Sequence, residues 1–179
     1  MPRVQVPFKE NVGCNVKMLE DHDCTTPEFN LDGMTAECRL VECHDGDTCK
    51  VVTDMLFNKF YKFTLRIAGI DTPEMTSTDK DLRQAAVRAR NRMMQLAGVA
   101  VTLEETLTRN EVNKILSKKC HRVTVAFGKA DKYGRILSTV TNGLDSVADV
   151  LLHEKLAYPY AGDTKMTPQD QKKALGLIC

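Results

Sequence analysis

Apolar and polar residues alternate along three consecutive segments after Ala36, with the period of two that is typical of half-buried β-strands. The first segment ends at a polar turn of residues 44–47, and the second and third cover residues 48–57 and 59–70. Short links join the three segments. We therefore expect them to form an antiparallel meander.

Residues 79–97 change to a helical period, because apolar side chains recur there at intervals of three and four residues. Thr78 or Asp79 is suited to cap the start of this helix, and Gly98 to end it. Four arginines fall on the opposite face, which is interpreted as solvated: Arg83, Arg88, Arg90 and Arg92.

Strand character returns at residues 99–103, 122–127 and 136–141. The polar residues 104–119 are too many for a tight hairpin and are compatible with a helix of their own. A capping box that begins at Ser146 predicts a further helix. Because strands and helices are segregated along the chain, the pattern indicates an α+β fold with the sheet curled into a small barrel.

Composition narrows the class of protein. The chain has 179 residues, of which 42% are apolar and 27% charged, so it can bury a core and is not disordered overall. Its first ten residues lack the apolar core of a secretory signal, and no apolar run approaches the ~18 residues of a membrane-spanning helix. These observations predict an intracellular protein with no membrane partner.

Charge is unevenly distributed although the formal net charge is only +1. Residues 1–47 carry 4 basic and 10 acidic side chains, whereas residues 83–135 carry 12 basic and 4 acidic ones. The basic excess is compatible with a face that binds a polyanion and equally with the solvated side of a helix. Charge alone therefore indicates a partner without identifying it.

The seven cysteines predict neither a disulfide framework nor a zinc site, because their number is odd and no C-x-x-C pair occurs. Buried free thiols are the simpler interpretation. The cysteines are Cys14, Cys24, Cys38, Cys43, Cys49, Cys120 and Cys179.

Three polar clusters stand at the ends of predicted strands. Each of them, taken alone, is typical of an ordinary turn. In chain order they are Asp45-Gly46-Asp47-Thr48, the segment from Arg66 to Asp71-Thr72-Pro73-Glu74, and Asp131-Lys132-Tyr133-Gly134-Arg135.

Together these clusters supply what phosphodiester hydrolysis requires. Asp47 and Asp71 offer hard anionic oxygens that suit Ca²⁺ or Mg²⁺. Arg66 and Arg135 each offer a planar guanidinium group to a phosphate. Glu74 adds a carboxylate that is able to act on a water molecule.

The ordered set of motifs resembles the staphylococcal nuclease (thermonuclease) family, and Tyr158-Pro159-Tyr160 is similar to the paired tyrosines of that family. The resemblance runs from about Ala36 to Gly162. It implies a small five-stranded antiparallel OB-type barrel with two to three helices. It also implies three segments: an N-terminal extension (1–35) of unknown role, a nuclease-like domain (36–162) and a short C-terminal tail (163–179).

Carried over residue by residue, the resemblance implies a Ca²⁺ site, with Mg²⁺ less suited to support turnover. Asp47, Asp71 and the main-chain carbonyl of Thr72 would bind the metal, and Asp45 would support the site. The remaining roles would be those of catalytic residues (Arg66, Glu74 and Arg135) and of substrate-binding residues (Lys132, Tyr133, Tyr158 and Tyr160).

The function that the resemblance implies is a Ca²⁺-dependent endonuclease, a hydrolase that cleaves DNA and RNA and leaves 3′-phosphate and 5′-hydroxyl ends. The expected partner is a nucleic-acid substrate, and the expected state is a monomer. The alternative is a catalytically silent scaffold that keeps the barrel and binds nucleic acid or protein. Residues 104–121 have the character of an insertion relative to the family pattern.

Overall fold

A computed structural model describes residues 19–56, 58–162 and 164–178 of the chain. Most of the predicted N-terminal extension lies outside the described residues, as do Phe57, Cys14 and Cys179. The chain divides into two units, residues 1–30 and 31–179. In the described part of the first unit, a turn is closed by a hydrogen bond of 3.0 Å from the Thr26 amide to the Asp23 carbonyl.

The second unit contains all the named strands and helices. The strands are β1 (Thr35–Cys43), β2 (Thr48–Leu56), β3 (Lys59–Ile67), β4 (Ile70–Asp71), β5 (His121–Ala130), β6 (Ile136–Thr141) and β7 (Tyr158–Pro159). The helices are α1 (Lys80–Leu96), α2 (Arg109–Lys118), α3 (Val147–His153) and α4 (Pro168–Ala174). This arrangement confirms the α+β class.

Five of the strands form a closed barrel in the order β1-β2-β3-β6-β5, and β4 pairs with β7 in a separate two-stranded sheet. The expectation of a wholly antiparallel barrel is wrong at one seam, because β3 and β6 run parallel, with Leu65 opposite Ile136. The reason is topological: directions cannot alternate around a closed ring that has an odd number of strands. The described residues also form four helices rather than two or three.

A bulge in β1 decides which of its side chains enter the core. The pairing of β1 with β2 shifts between Leu40 and Glu42, so that Leu40 and Cys43 are buried while Glu42 stays on the outer surface. The strict alternation predicted for this strand therefore fails at its last residues. Inside the barrel, Val51 and Leu65 are fully buried along with Leu40.

Helix α1 begins and ends as the sequence predicts. The Asp79 side chain caps it by accepting hydrogen bonds from the amides of residues 81 and 82, and Gly98 follows its last turn with a φ of +77°. The prediction that its arginines are solvated is wrong for Arg90, which is buried. The Arg90 guanidinium donates a hydrogen bond of 3.0 Å to the main-chain carbonyl of Leu107.

The strand predicted at residues 99–103 does not form. Side chains of α1 bind the carbonyl groups that a neighbouring strand would otherwise bind: Asn91 Nδ2 lies 2.8–3.1 Å from three carbonyl oxygens within residues 102–105. Gln95 Nε2 donates to the Val101 carbonyl at 2.8 Å. The segment is therefore held as an irregular connection against α1.

The polar residues 104–119 contain α2, as their composition allowed. A capping box of Thr108 and Glu111 begins this helix. Arg39 of β1 donates hydrogen bonds of 3.3–3.4 Å to carbonyls in the last turn of α2. Helix α3 begins with Ser146 as its cap, as predicted.

The segment predicted as a C-terminal tail contains helix α4. Helix α4 packs near α1, where Leu175, Leu82 and Tyr158 belong to one buried cluster. Lys172 of α4 also forms ion pairs of 2.7 and 2.9 Å with Asp79 and Asp81 at the start of α1. These ion pairs link the start of α1 to α4.

Candidate active site

A cleft of about 1040 Å³ opens where the β1–β2 turn, the end of β3 and the β5–β6 turn meet. The three predicted clusters supply most of its walls. Nine of the eleven predicted site residues line it: Asp45, Asp47, Arg66, Asp71, Glu74, Lys132, Tyr133, Arg135 and Tyr160. The other two, Thr72 and Tyr158, are buried and do not line the cleft.

Arg66 bridges the two aspartates that the sequence assigns to a metal. Its Nη1 contacts Asp47 Oδ1 and its Nη2 contacts Asp71 Oδ1, and the three side chains are nearly excluded from solvent. Burial alone would raise the pKa of Asp47, but the charge and hydrogen bonding of Arg66 lower it below its usual value. The floor of the cleft is thus a buried group of one cation and two anions.

Further hydrogen bonds hold the two aspartates in place. Asp47 Oδ2 accepts hydrogen bonds from the amide and the hydroxyl of Thr72, at 2.8 and 3.0 Å, and Thr48 Oγ1 donates to Asp47 Oδ1 at 2.9 Å. The Tyr158 hydroxyl donates to Asp71 Oδ2 at 2.9 Å. Burial, followed by the charge of Asp71, raises the pKa of Tyr158, so this tyrosine stays a donor.

Asp45 carries the least compensated charge of the site. It is buried, and its Oδ1 has no hydrogen-bond partner among the described residues. Burial, followed by the neighbouring Asp47 carboxylate, raises the pKa of Asp45 to about 7. A cation beside Asp45 would therefore stabilise its charged form.

Gly46 lets the turn between Asp45 and Asp47 lie directly on α1. A Cβ atom at Gly46 would lie 2.7 Å from the Cβ of Ala89 and 2.9 Å from the Cγ2 of Thr72. The Asp-Gly signature is therefore required here by a close approach to the helix, besides being typical of turns.

Glu74 lies at the open side of the cleft and has a partner that the sequence did not indicate. Its Oε1 contacts Lys165 Nζ, and each of the two side chains is about half exposed. Burial alone would lower the pKa of Lys165, but its hydrogen bond to Glu74 raises it. Sequence reasoning missed Lys165 because it lies 91 residues further along, in a segment with no motif.

Arg135 is held in place by Asp131, the first residue of its own motif. Asp131 Oδ2 accepts a hydrogen bond of 2.8 Å from Arg135 Nε, and Oδ1 accepts from the amides of Tyr133 and Arg135 at 2.9 Å. The Tyr133 ring lies 5.4 Å from the Arg135 guanidinium and 5.1 Å from Lys132 Nζ. Asp131 was not predicted as a site residue, although its place in the motif was a usable signal.

The two tyrosines after α3 face different surroundings. Tyr160 lines the cleft, with its ring 5.8 Å from the Arg66 guanidinium carbon. Tyr158 is 1% exposed and holds Asp71 instead. The structure therefore gives only Tyr160 direct access to a ligand in the cleft.

Residues 64–176, from the end of β3 to the end of α4, match the family described as staphylococcal nuclease homologue. The chain belongs to this family. A comparison of this staphylococcal nuclease homologue with curated proteins found no matching relative. Among its described helices, none is both long and apolar enough to cross a membrane.

The calcium site that this family implies can be tested against the residues of the staphylococcal nuclease homologue. Their donors are carboxylate, hydroxyl and carbonyl oxygens, which suit a hard divalent cation, and Asp45 Oδ1 is buried without a partner. Among the described residues, no three His, Cys, Asp or Glu side chains form a metal site by themselves. The donor chemistry therefore suits Ca²⁺, but main-chain or water oxygens would have to complete its coordination.

One of the described cysteines lies next to the site: Cys43 Sγ contacts the main-chain oxygen of Asp45 at 3.5 Å. The described cysteines are free, and Cys38, Cys43 and Cys49 are buried while Cys24 and Cys120 are exposed. Burial raises the pKa of the Cys43 thiol well above its usual value, so this group is a neutral core side chain.

Proposed function

We propose that this protein is a Ca²⁺-dependent nuclease that hydrolyses phosphodiester bonds of DNA and RNA and leaves 3′-phosphate and 5′-hydroxyl ends. The observation that supports the proposal is a single cleft lined by Arg66, Arg135 and Glu74 above a pair of buried aspartates. Family membership supports the same class of reaction. All these groups come from one chain, so a monomer would suffice.

In the proposed reaction, each charged group of the cleft has one task. Arg66 and Arg135 bind the non-bridging oxygens of the scissile phosphate and stabilise the charge that grows there in the transition state. Glu74 orients the attacking water and accepts its proton. The bond between phosphorus and the 5′ oxygen breaks, and that oxygen takes up a proton to become the 5′-hydroxyl.

Asp47, Asp71 and the main-chain carbonyl of Thr72 would hold Ca²⁺, with Asp45 behind them. When bound, the ion would polarise a phosphate oxygen, and Mg²⁺ would serve less well. Tyr158 and Thr72 keep the two aspartates oriented through the hydrogen bonds described above. Lys132, Tyr133 and Tyr160 line the same cleft and would contact the nucleotide.

A second candidate function is a scaffold that binds nucleic acid or protein without cleaving it. One observation favours this candidate: each proposed catalytic group already has an ion partner within the chain. Arg66 contacts two aspartates, Arg135 contacts Asp131, and Glu74 contacts Lys165. A nuclease must exchange these contacts for contacts to substrate, whereas a scaffold need not.

Cleavage of single-stranded DNA in Ca²⁺, in Mg²⁺ and in chelator separates the two functions. The nuclease should cleave in Ca²⁺ only, and Glu74→Gln should lower turnover by roughly 10²–10⁴-fold while DNA binding is kept. Glu104→Gln is a matched control, because Glu104 is 65% exposed and its nearest ion partner, Arg88, is 3.9 Å away.

Two results would count against the nuclease. Cleavage that Glu74→Gln leaves undiminished would remove Glu74 from the reaction. Wild-type protein that binds DNA but does not cleave it in Ca²⁺ or in Mg²⁺ would favour the scaffold. Calorimetry adds a test of the metal site, since Asp47→Ala should weaken Ca²⁺ binding.

A further inference from the structure

The outer face of β2 and β3 runs from the cleft to the far end of the barrel. Side chains alternate along a strand, so every second residue shares this face with Arg66. The cross-strand pairs on the face, in order from the cleft, are Thr48 with Arg66, Lys50 with Thr64, Val52 with Lys62, and Asp54 with Phe60. No register shift interrupts these four pairs.

Two exposed aromatic residues lie at the far end of β3: Phe60 belongs to this face, and Tyr61 is the next residue along the strand. Phe60 is 67% exposed and Tyr61 is 50% exposed. They border a hollow of about 430 Å³ whose apolar wall includes Val41 and Val52. Large exposed aromatic side chains beside an open hollow are typical of a binding surface, and aromatic rings accept nucleic-acid bases by stacking.

The charges around the hollow are in excess of what its carboxylate can neutralise. Glu42, held on the outer surface by the β1 bulge, forms ion pairs with Lys50 at 3.1 Å, Lys62 at 3.2 Å and Arg109 at 2.8 Å. Asp54, opposite Phe60, adds a second anion to this end of the face, so three cations stand against two anions and a local excess of one positive charge remains. The side chains of Lys62 and Arg109 are 53% and 65% exposed, so both can reach a phosphate from where they lie.

The distance between the two ends of the face suits a polymer rather than a small ligand. Phe60 and Arg66 are six residues apart on one strand, which corresponds to roughly 20 Å at the usual rise per residue. A duplex hides the faces of its bases in the stack, so only an unpaired strand can offer them to an aromatic ring.

We propose that the outer face of β2 and β3, together with the hollow at its far end, is a second binding site for single-stranded nucleic acid, at which Phe60 and Tyr61 stack on bases while Lys62 and Arg109 contact phosphates. The site rests on the proposed function in one respect: the bound strand is the polymer that the cleft cleaves. It would give the protein a preference for long unpaired strands over short ones.

The absence of tryptophan from the sequence allows a direct test. Phe60→Trp places a single tryptophan on the face, whose emission is separated from that of tyrosine by selective excitation; Leu144→Trp is the matched control, since Leu144 is 95% exposed and lies outside the hollow. Each variant is titrated with a 12-nucleotide oligothymidylate in chelator. Quenching of Phe60→Trp alone is expected, because stacked bases quench only a ring that they touch.

Affinity for a labelled 12-nucleotide strand, measured by fluorescence anisotropy, provides the second arm. Phe60→Ala should weaken binding roughly tenfold, while Phe60→Trp should keep it. Lys62→Ala should reduce the dependence of affinity on salt. Unchanged affinity in Phe60→Ala, or equal quenching in the two tryptophan variants, would overturn the second site, as would binding only of a protein partner at this face.

Cleavage kinetics distinguish failure of this site from failure of the proposed function. A dinucleotide is too short to reach both ends of the face, so Phe60→Ala should lower the ratio of kcat/KM for the 12-nucleotide strand to that for the dinucleotide. If nothing is cleaved but the binding effects appear, the nuclease proposal fails and the second site stands. If cleavage occurs and the ratio is unchanged, the second site fails alone.

Discussion

Replacing Gly46 with alanine tests how closely the turn that carries Asp45 and Asp47 is fitted to α1. The new methyl group would lie 2.7 Å from Ala89 Cβ, 2.9 Å from Thr72 Cγ2 and 3.1 Å from the Ala89 carbonyl carbon. None of these atoms belongs to a flexible side-chain end, so the turn itself must move. Because Thr72 also donates two hydrogen bonds to Asp47, the movement would disturb the aspartate pair.

The cost in stability follows from this geometry. Overpacking of a buried contact by one methyl group costs about 1–3 kcal/mol of unfolding free energy. The second variant, Ala89→Gly, removes the nearest contact but costs about 1 kcal/mol through lower helix propensity. The double variant should therefore be more stable, by about 1 kcal/mol, than the sum of the two single effects predicts. The relief is only partial, because the contact with Thr72 remains.

Urea unfolding followed by circular dichroism would measure all four proteins in one double-mutant cycle. Nuclease activity of Gly46→Ala should fall further than its stability alone explains, since the aspartates shift. A stability of Gly46→Ala within about 0.5 kcal/mol of wild type, the usual scatter of surface substitutions, would refute the close fit. Strict additivity in the cycle would refute the contact with Ala89.

Two further predictions concern single charged groups. Arg135→Lys should lower kcat on single-stranded DNA by roughly 10²-fold, because an ammonium group cannot replace the planar guanidinium. Arg122→Lys is the control, since the Arg122 side chain is 71% exposed. An activity of Arg135→Lys within about threefold of wild type would contradict the role of Arg135. Hydrogen bonding to Arg109 lowers the pKa of Glu42 to about 2. Burial opposes this shift, and Lys50 and Lys62 add to it. A lowered folded-state pKa stabilises the protein above the ordinary value of 4.5, and this contribution is lost as the pH falls towards 2. Wild type should therefore exceed Glu42→Gln in unfolding free energy at pH 7 by about 1 kcal/mol, because water screens the exposed Lys62 and Arg109. The gap should narrow between pH 5 and pH 2 in urea titrations, and a constant gap would contradict the assignment.

The parts of the fold that the sequence predicted are those set by local periodicity. Helix α1 and strand β6 lie where their apolar patterns placed them, and Asp79 caps α1. The site was predictable for a related reason. Its motifs follow directly after strands, and strand ends in a small barrel come close together, as Thr48 and Arg66 do.

The predictions that were wrong concern places where a distant side chain or the topology of the barrel, rather than the local apolar pattern, determines the structure. Val99 and Val101 have strand character, but Asn91 and Gln95 bind the carbonyls of this segment. The parallel pairing of β3 with β6 follows from the odd number of strands in the ring, and the sequence of a single segment does not reveal that number. The contact of Glu74 with Lys165 joins residues 91 positions apart, and neither belongs to a periodic pattern that would reveal the pairing.

The amide group of Asn91 has a consequence for how this fold can vary. One buried side chain on α1 holds three main-chain carbonyl groups within residues 102–105, before the chain enters α2. Helix α2 is itself fixed to the barrel, because Val112 and Leu116 are buried in the core and Arg39 of β1 donates to its last carbonyl groups. A grafted peptide or reporter is therefore best inserted at the exposed residues 119–120, between α2 and β5, with Asn91 and α2 both kept.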